Sequence, residues 1–204
     1  MRQFRGTLKK ILLMKLIANI FLLFLLISCS SEQFTFEQYE NYPVKVARKT
    51  VTYPNNTFEF LLPIKWEWKV ENYDEVDEIS IGIDAFSKPD EKNFIDAISI
   101  QQGKGFSNSK TLETEYKIIL EKLRQNSGYK LIESGKTLFN ENDSYFVHYR
   151  SNSGNYGEIE IISIITKSKN DNSFYYLNAS ASRTNDLKKN MSIMVQCLKT
   201  FKEK

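Results

Sequence analysis

The chain has 204 residues, with 28 Lys and Arg against 25 Asp and Glu. The basic surplus is local: Arg2, Arg5, Lys9, Lys10 and Lys15 all fall in residues 1–28, which hold no acid, leaving 23 basic against 25 acidic groups in residues 29–204. A body with net charge −2 lacks the electrostatic footprint of a nucleic-acid binder, and two cysteines are too few for a disulfide scaffold.

The N-terminus is read first as a targeting segment. The basic stretch Met1 to Lys15 precedes an apolar run, Leu16 to Ile27, and the small residue Ser28. This is the layout of a secretory signal. Leu26, Ile27, Ser28 and Cys29 match a bacterial lipobox, so residues 1–28 are expected to be removed and Cys29 to carry lipid such as palmitate. As a retained anchor the run would be short: its 12 residues reach about 18 Å against a hydrocarbon core of roughly 30 Å.

Residues 29–54 are expected to form a tether and N-terminal arm, and residues 55–204 the domain. The domain opens on a strand from Thr57 to Leu62, with Phe58, Phe60 and Leu62 alternating. After Pro63 a second alternation sets Ile64, Trp66, Trp68 and Val70 on one face, which predicts a core surface beneath a helix. An acidic loop, Asp74 to Glu78, leads to strands carrying Ile79, Ile81, Ile83 and Ala85, then Ile98 and Ile100. From Ser109 to Arg124, Leu112, Tyr116, Ile119, Leu120 and Leu123 recur at helical spacing, while Glu113, Glu115 and Lys117 are expected off that stripe.

Gly128 is expected to end the helix. Four strands follow, at about 129–139, 144–150, 158–167 and 173–181, joined by short loops rich in Asn, Ser, Gly and Asp. Loops this short join antiparallel neighbours. A last helix is expected from Thr184 to Phe201, with Leu187, Met191, Met194, Val195, Leu198 and Phe201 on one stripe. The order predicts an α+β fold, an antiparallel sheet of about six strands covered by helices.

The segment "FEFLLPIKWEWKV", the Leu-rich helix, the meander containing "SFYYLNASA" and the closing "LKTFK" together resemble the Mog1/PsbP-like domain over residues 55–203. The resemblance implies an α/β/α sandwich and a non-catalytic binding or assembly role. One branch of that family attaches to photosystem II and another binds a small GTPase.

The chemistry-bearing motifs are weak. Ser134, Gly135, Lys136 and Thr137 spell the end of a phosphate-binding loop, but position 130 is Lys where the motif needs Gly, and a strand follows where it needs a helix. His148 is the single histidine, too few for a zinc site, and is read as structural or surface rather than catalytic. Cys197 reads as a small buried hydrophobe. Glu71, Asp74, Glu75, Asp77 and Glu78 lack the glycine turn of a calcium loop.

The expectation is therefore a membrane-anchored lipoprotein of the cell envelope, with its domain in the periplasm or at the cell surface. It has no catalytic residues, cofactor, metal or nucleic-acid partner, and it binds another envelope protein. The alternatives are a carrier or sensor of a small apolar ligand, or an enzyme of unrecognised type.

Overall fold

The computed structural model describes residues 33–46, 49–71, 79–106 and 110–204. The chain divides between Phe34 and Thr35, and every described helix and strand belongs to the unit Thr35–Lys204. The expected signal segment, Cys29 and the acidic loop at 74–78 lie outside the described residues. Among the described residues no helix is long and apolar enough to cross a membrane.

The unit is built on a seven-stranded antiparallel sheet. In chain order its strands are β3 (Glu67–Glu71), β4 (Ile79–Phe86), β5 (Ala97–Gly103), β6 (Lys130–Phe139), β7 (Asn142–Asn152), β8 (Glu158–Lys167) and β9 (Phe174–Ser182). Their spatial order is β3-β4-β5-β9-β8-β7-β6. The four-strand meander is as its short loops predict. At its first turn Asn140 and Glu141 both take positive φ, the backbone that closes a two-residue hairpin. A second sheet holds β1 (Lys49–Thr52), β2 (Phe58–Leu62) and the C-terminal β10 (Lys202–Glu203), with β2 in the middle.

Strand alternation gives the large sheet two apolar faces. On one, Ile165, Phe174 and Tyr176 gather with Ile79 and receive Leu112, Tyr116 and Ile119 of helix α2 (Leu112–Arg124). Thr111 caps this helix by accepting from the Thr114 amide (3.2 Å), and Lys122 and Arg124 in the last turn complement its dipole. Glu115, expected on the outer side, is fully buried: it accepts from the Phe106 amide (3.0 Å) and the Tyr176 hydroxyl (2.6 Å), fastening the loop after β5 to the helix.

The opposite face carries Ile98, Ile100, Ile162, Ile164, Leu177 and Ala179, all buried. It is covered by helix α3 (Leu187–Leu198), by β2 of the small sheet and by a short helix, α1 (Phe36–Asn41). The sandwich is thus helix, sheet, then mixed helix and strand. Met191, Met194, Val195 and Leu198 are buried, as the predicted stripe requires. The helix stops three residues short of Phe201, whose ring instead packs on Phe58 and Tyr175 while the chain runs on into β10.

Two expectations are corrected here. Within the stretch 29–54, expected to be a tether and arm, the described residues include α1 and β1, and Phe36, Tyr39 and Val51 are buried within the unit. The Ile64–Val70 surface is not core: Ile64 is 57% exposed, Trp68 37% and Val70 42%. A turn closed by the Trp66 amide on the Pro63 carbonyl, with Lys65 at positive φ, lifts Ile64 off the strand. Trp68 and Val70 do share a face with Ala85 and Ile83, but β3 is the sheet's outermost strand.

Asp96, just before β5, fixes α3 to the sheet: it accepts from Asn190 Nδ2 (2.7 Å) and from the Ser182 amide (3.3 Å). Burial pushes its carboxyl up to about 6, against the opposing pull of those hydrogen bonds. A raised carboxylate value means that the folded protein keeps a proton the unfolded chain has already released. Stability is therefore lost as pH rises from about 4 to about 6, and the full penalty applies above that window. Asp96→Asn removes the titration, so its stability relative to wild type should rise by up to about 3 kcal/mol between pH 4 and pH 7. Urea unfolding of both proteins at each pH checks this, and parallel stability profiles would refute it.

Candidate functional site

The densest group of chemistry-bearing side chains lies beneath α1, on the sheet face that also carries α3. Register places Glu133 of β6 opposite His148 of β7, His148 opposite Ile162 of β8, and Arg150 opposite Glu160. Alternation by two then sets Glu133, His148, Arg150 and Glu160 on one side of the sheet. His148 and Glu160 are buried.

Glu160 is the hub. Its Oε1 accepts from the Tyr39 hydroxyl (2.6 Å) and lies 2.9 Å from His148 Nε2, while its Oε2 accepts from Arg150 Nε (3.1 Å). The other ring nitrogen, Nδ1, lies 3.2 Å from Glu133 Oε1. Both histidine contacts are hydrogen bonds at once only when both nitrogens are protonated or one carboxyl holds the proton. Burial acts to raise the Glu160 carboxyl, but the bonds from His148, Tyr39 and Arg150 outweigh it and hold the group below its ordinary value. Burial, with the Glu160 charge next, raises the Tyr39 phenol well above the usual range, so it remains an O–H donor.

The same cluster docks α1. Thr35 and Gln38 form a reciprocal cap, the hydroxyl taking the Gln38 amide and the Gln38 side chain taking the Thr35 amide. Glu133 accepts from the Phe36 amide (2.5 Å), Phe36 stacks on Phe146 at 4.8 Å, and Gln196 of α3 donates to the Tyr42 carbonyl (2.7 Å). Among the described residues both imidazole nitrogens face carboxylates, and the cluster fastens α1 to the sheet.

The remaining sequence candidates are dispersed. Ser134 to Thr137 lie within β6, where no helix follows to present amides to a phosphate. Cys197 is buried in α3 as expected. The cavity between the sheet and α2, bordered by Phe106, Ile119, Leu123, Tyr149 and Tyr176, holds about 160 Å³. That is well below the roughly 300 Å³ at which ligand pockets begin. The exposed feature that alternation alone misread is the β3 edge, where Ile64, Trp68 and Val70 reach solvent beside an outermost strand.

Comparison with known proteins bears on the fold. No family model and no curated protein matches the chain. Among solved structures, cyanobacterial PsbP (CyanoP) from Synechocystis aligns with a TM-score of 0.55 at 13% identity, over 87% of this chain and 98% of that one. LpqN of Mycobacterium tuberculosis, described as involved in cell envelope biogenesis, aligns at 0.53 with 9% identity, over 84% and 98%. The Ran-binding protein Mog1p of Saccharomyces cerevisiae aligns at 0.51 with 7% identity, over 78% and 96%. The chain therefore has the Mog1/PsbP-like fold. At these identities the likeness defines architecture, on which functions diverge.

Glu160 yields a direct test. Its depressed value means that its contribution is present above the ordinary carboxylate range near 4.5 and is lost as pH falls through the lower folded value. Glu160→Gln turns one oxygen into an amide donor facing donors, and should cost about 2–3 kcal/mol at pH 7. In urea titrations the deficit should be constant above pH 5 and shrink below pH 4. An equal deficit at pH 7 and pH 3 would show that the carboxylate charge contributes nothing.

Proposed function

We propose that the protein is a non-catalytic binding module of the bacterial cell envelope, lipid-anchored through Cys29, that captures another protein along the β3 edge of its sheet. One observation carries the reading. Trp68 and Val70 are exposed on β3 and Ile64 in the turn just before it, and β3 is an outermost strand whose outer backbone edge pairs with no other strand among the described residues, a ready template for an added strand. Large exposed apolar side chains clustered at an open edge mark interaction surfaces, and tryptophan is prominent among interface anchors. The alternating charges Glu67, Lys69 and Glu71 on the opposite side of β3 guard the same edge against indiscriminate pairing.

Support from outside the chain is at the level of fold. The PsbP, LpqN and Mog1p structures share the architecture; LpqN acts in envelope biogenesis and Mog1p binds Ran. An envelope location and a protein partner fit this company, and the lipobox at Cys29 supplies the anchor. Two or more acyl chains on the processed terminus would hold the domain stably at a membrane, in the periplasm or at the cell surface. The small cavity under α2 weighs against a carrier of apolar ligands at that place.

Mass spectrometry of the protein from its own membranes should find an N-terminus at Cys29 carrying acyl groups, and Cys29→Ser should release the protein to the aqueous phase. An intact Met1 terminus would overturn the anchor. For the edge, affinity purification from detergent-solubilised envelopes should recover a stoichiometric protein that Trp68→Glu reduces at least tenfold, the loss of one interface anchor worth about 1.4 kcal/mol or more. Leu138→Glu, at an exposed apolar site on β6, should leave recovery intact. Equal recovery with Trp68→Glu would rule out β3 as the docking edge.

A further inference from the structure

A second concave surface lies on the other half of the sheet. It is a cavity of about 400 Å³ between the β6–β7 turn, the end of β8, and the chain leaving α3. Lys167, Lys169, Lys199 and Lys202 all line it. Lys199 is paired with Glu40 at 3.1 Å. Lys167, Lys169 and Lys202 form no ion pair among the described residues. Two acids reach the same space, Glu141 and Glu203. Glu203 is already engaged by the Ser168 hydroxyl (2.5 Å) and the Lys169 amide (2.8 Å). Like charges collected around one concavity create a local positive potential that favours an anion.

The floor adds an independent pointer. Tyr175 and Thr166 also line the cavity and both are buried; among the described residues the Thr166 hydroxyl has no hydrogen-bond partner, and the Tyr175 hydroxyl has none of normal geometry, with the Glu203 carboxylate beside it. A buried polar group left unpaired costs roughly 1–3 kcal/mol, so two at one place call for an outside partner. Burial, then the nearby Glu203 and Asp171 charges, raise the Tyr175 phenol above its ordinary value, which keeps it protonated and able to donate.

The walls are pre-set by hydrogen bonds. Asn140 Nδ2 donates to the Phe201 carbonyl (2.5 Å), joining the β6–β7 turn to the C-terminal segment. Asn170 Nδ2 donates to the Lys204 carbonyl (2.7 Å), joining the β8–β9 loop to the same segment. Little ordering is left to be done when a ligand enters.

We propose that this cavity binds a phosphate group, with Lys167, Lys169 and Lys202 supplying charge and Thr166 and Tyr175 supplying hydroxyl donors from the floor. A tetrahedral oxyanion has enough acceptor oxygens to meet ammonium groups at the rim and two hydroxyls below, where a carboxylate has only two. The group belongs either to a soluble phosphoester or to the headgroup of an anionic phospholipid.

The test uses the unit Thr35–Lys204, which contains every described helix and strand and the whole described core. Glycerol 3-phosphate is titrated by calorimetry and by amide NMR, and co-sedimentation compares phosphatidylglycerol with phosphatidylcholine vesicles. Binding is expected in at least one arm, with shifts at Thr166 and Tyr175. The triple variant K167A/K169A/K202A, checked by circular dichroism, should weaken it at least about tenfold. The pair T166V/Y175F should weaken it about threefold or more without loss of thermal stability. Binding of glycerol 3-phosphate alone assigns a soluble phosphoester, and retention on phosphatidylglycerol but not phosphatidylcholine assigns a headgroup. Absence of binding in both arms, or binding unchanged in either variant, overturns the proposal.

Discussion

The constraint on which the rest of the unit depends is the need to satisfy one buried carboxylate. Glu160 sits on a central strand, is buried, and stays ionised only because Tyr39, His148 and Arg150 all donate to it or lie within hydrogen-bond distance. Those partners come from α1 and β7, so the charge can be accommodated only when both are in place. A buried charge that loses a partner costs several kcal/mol, which makes such a cluster a test of correct assembly more than a source of net stability. The Phe36 amide on Glu133 and the capping box at Thr35 extend the same logic to the start of the helix.

Much of the fold could be read from residue patterns, for identifiable reasons. The meander was legible because its strands alternate cleanly and their connections are too short for anything but antiparallel pairing. Helix α2 was legible from its apolar stripe, although Glu115 was misplaced. It stands three residues after Leu112 and four before Ile119, squarely on that stripe, and its acidic character hid its inward orientation. Helix α1 is six residues long and leaves almost no periodic signal. Its one local trace is the Thr35 to Gln38 spacing of a capping box. Strand β10 has two residues and no pattern to detect.

The site was less legible than the fold because burial belongs to the assembled layers and not to a single strand. Alternation puts Trp68 on a definite face and leaves His148 as structural or surface, but what covers either side chain is decided elsewhere. His148 is buried because α1 lies over β7. Trp68 is part-exposed because β3 lies at the margin of the sheet. The same alternation therefore produced an interior histidine and a surface tryptophan, the reverse of what residue type alone would suggest. The lysine-lined cavity joins residues from the β6–β7 turn, two later strands and the C-terminal segment, so no local motif could announce it.

The position of α1 has a mechanical consequence. It is the first helix after Thr35, so any tension transmitted along the preceding chain enters the folded unit there. The force is met first by the Phe36 amide on Glu133, then by Tyr39 on Glu160, and is passed sideways through Gln196 into α3. A molecule hung by its front end would thus carry its load across the sheet through polar links set in an apolar interior, and those links would be the first to give way under strain.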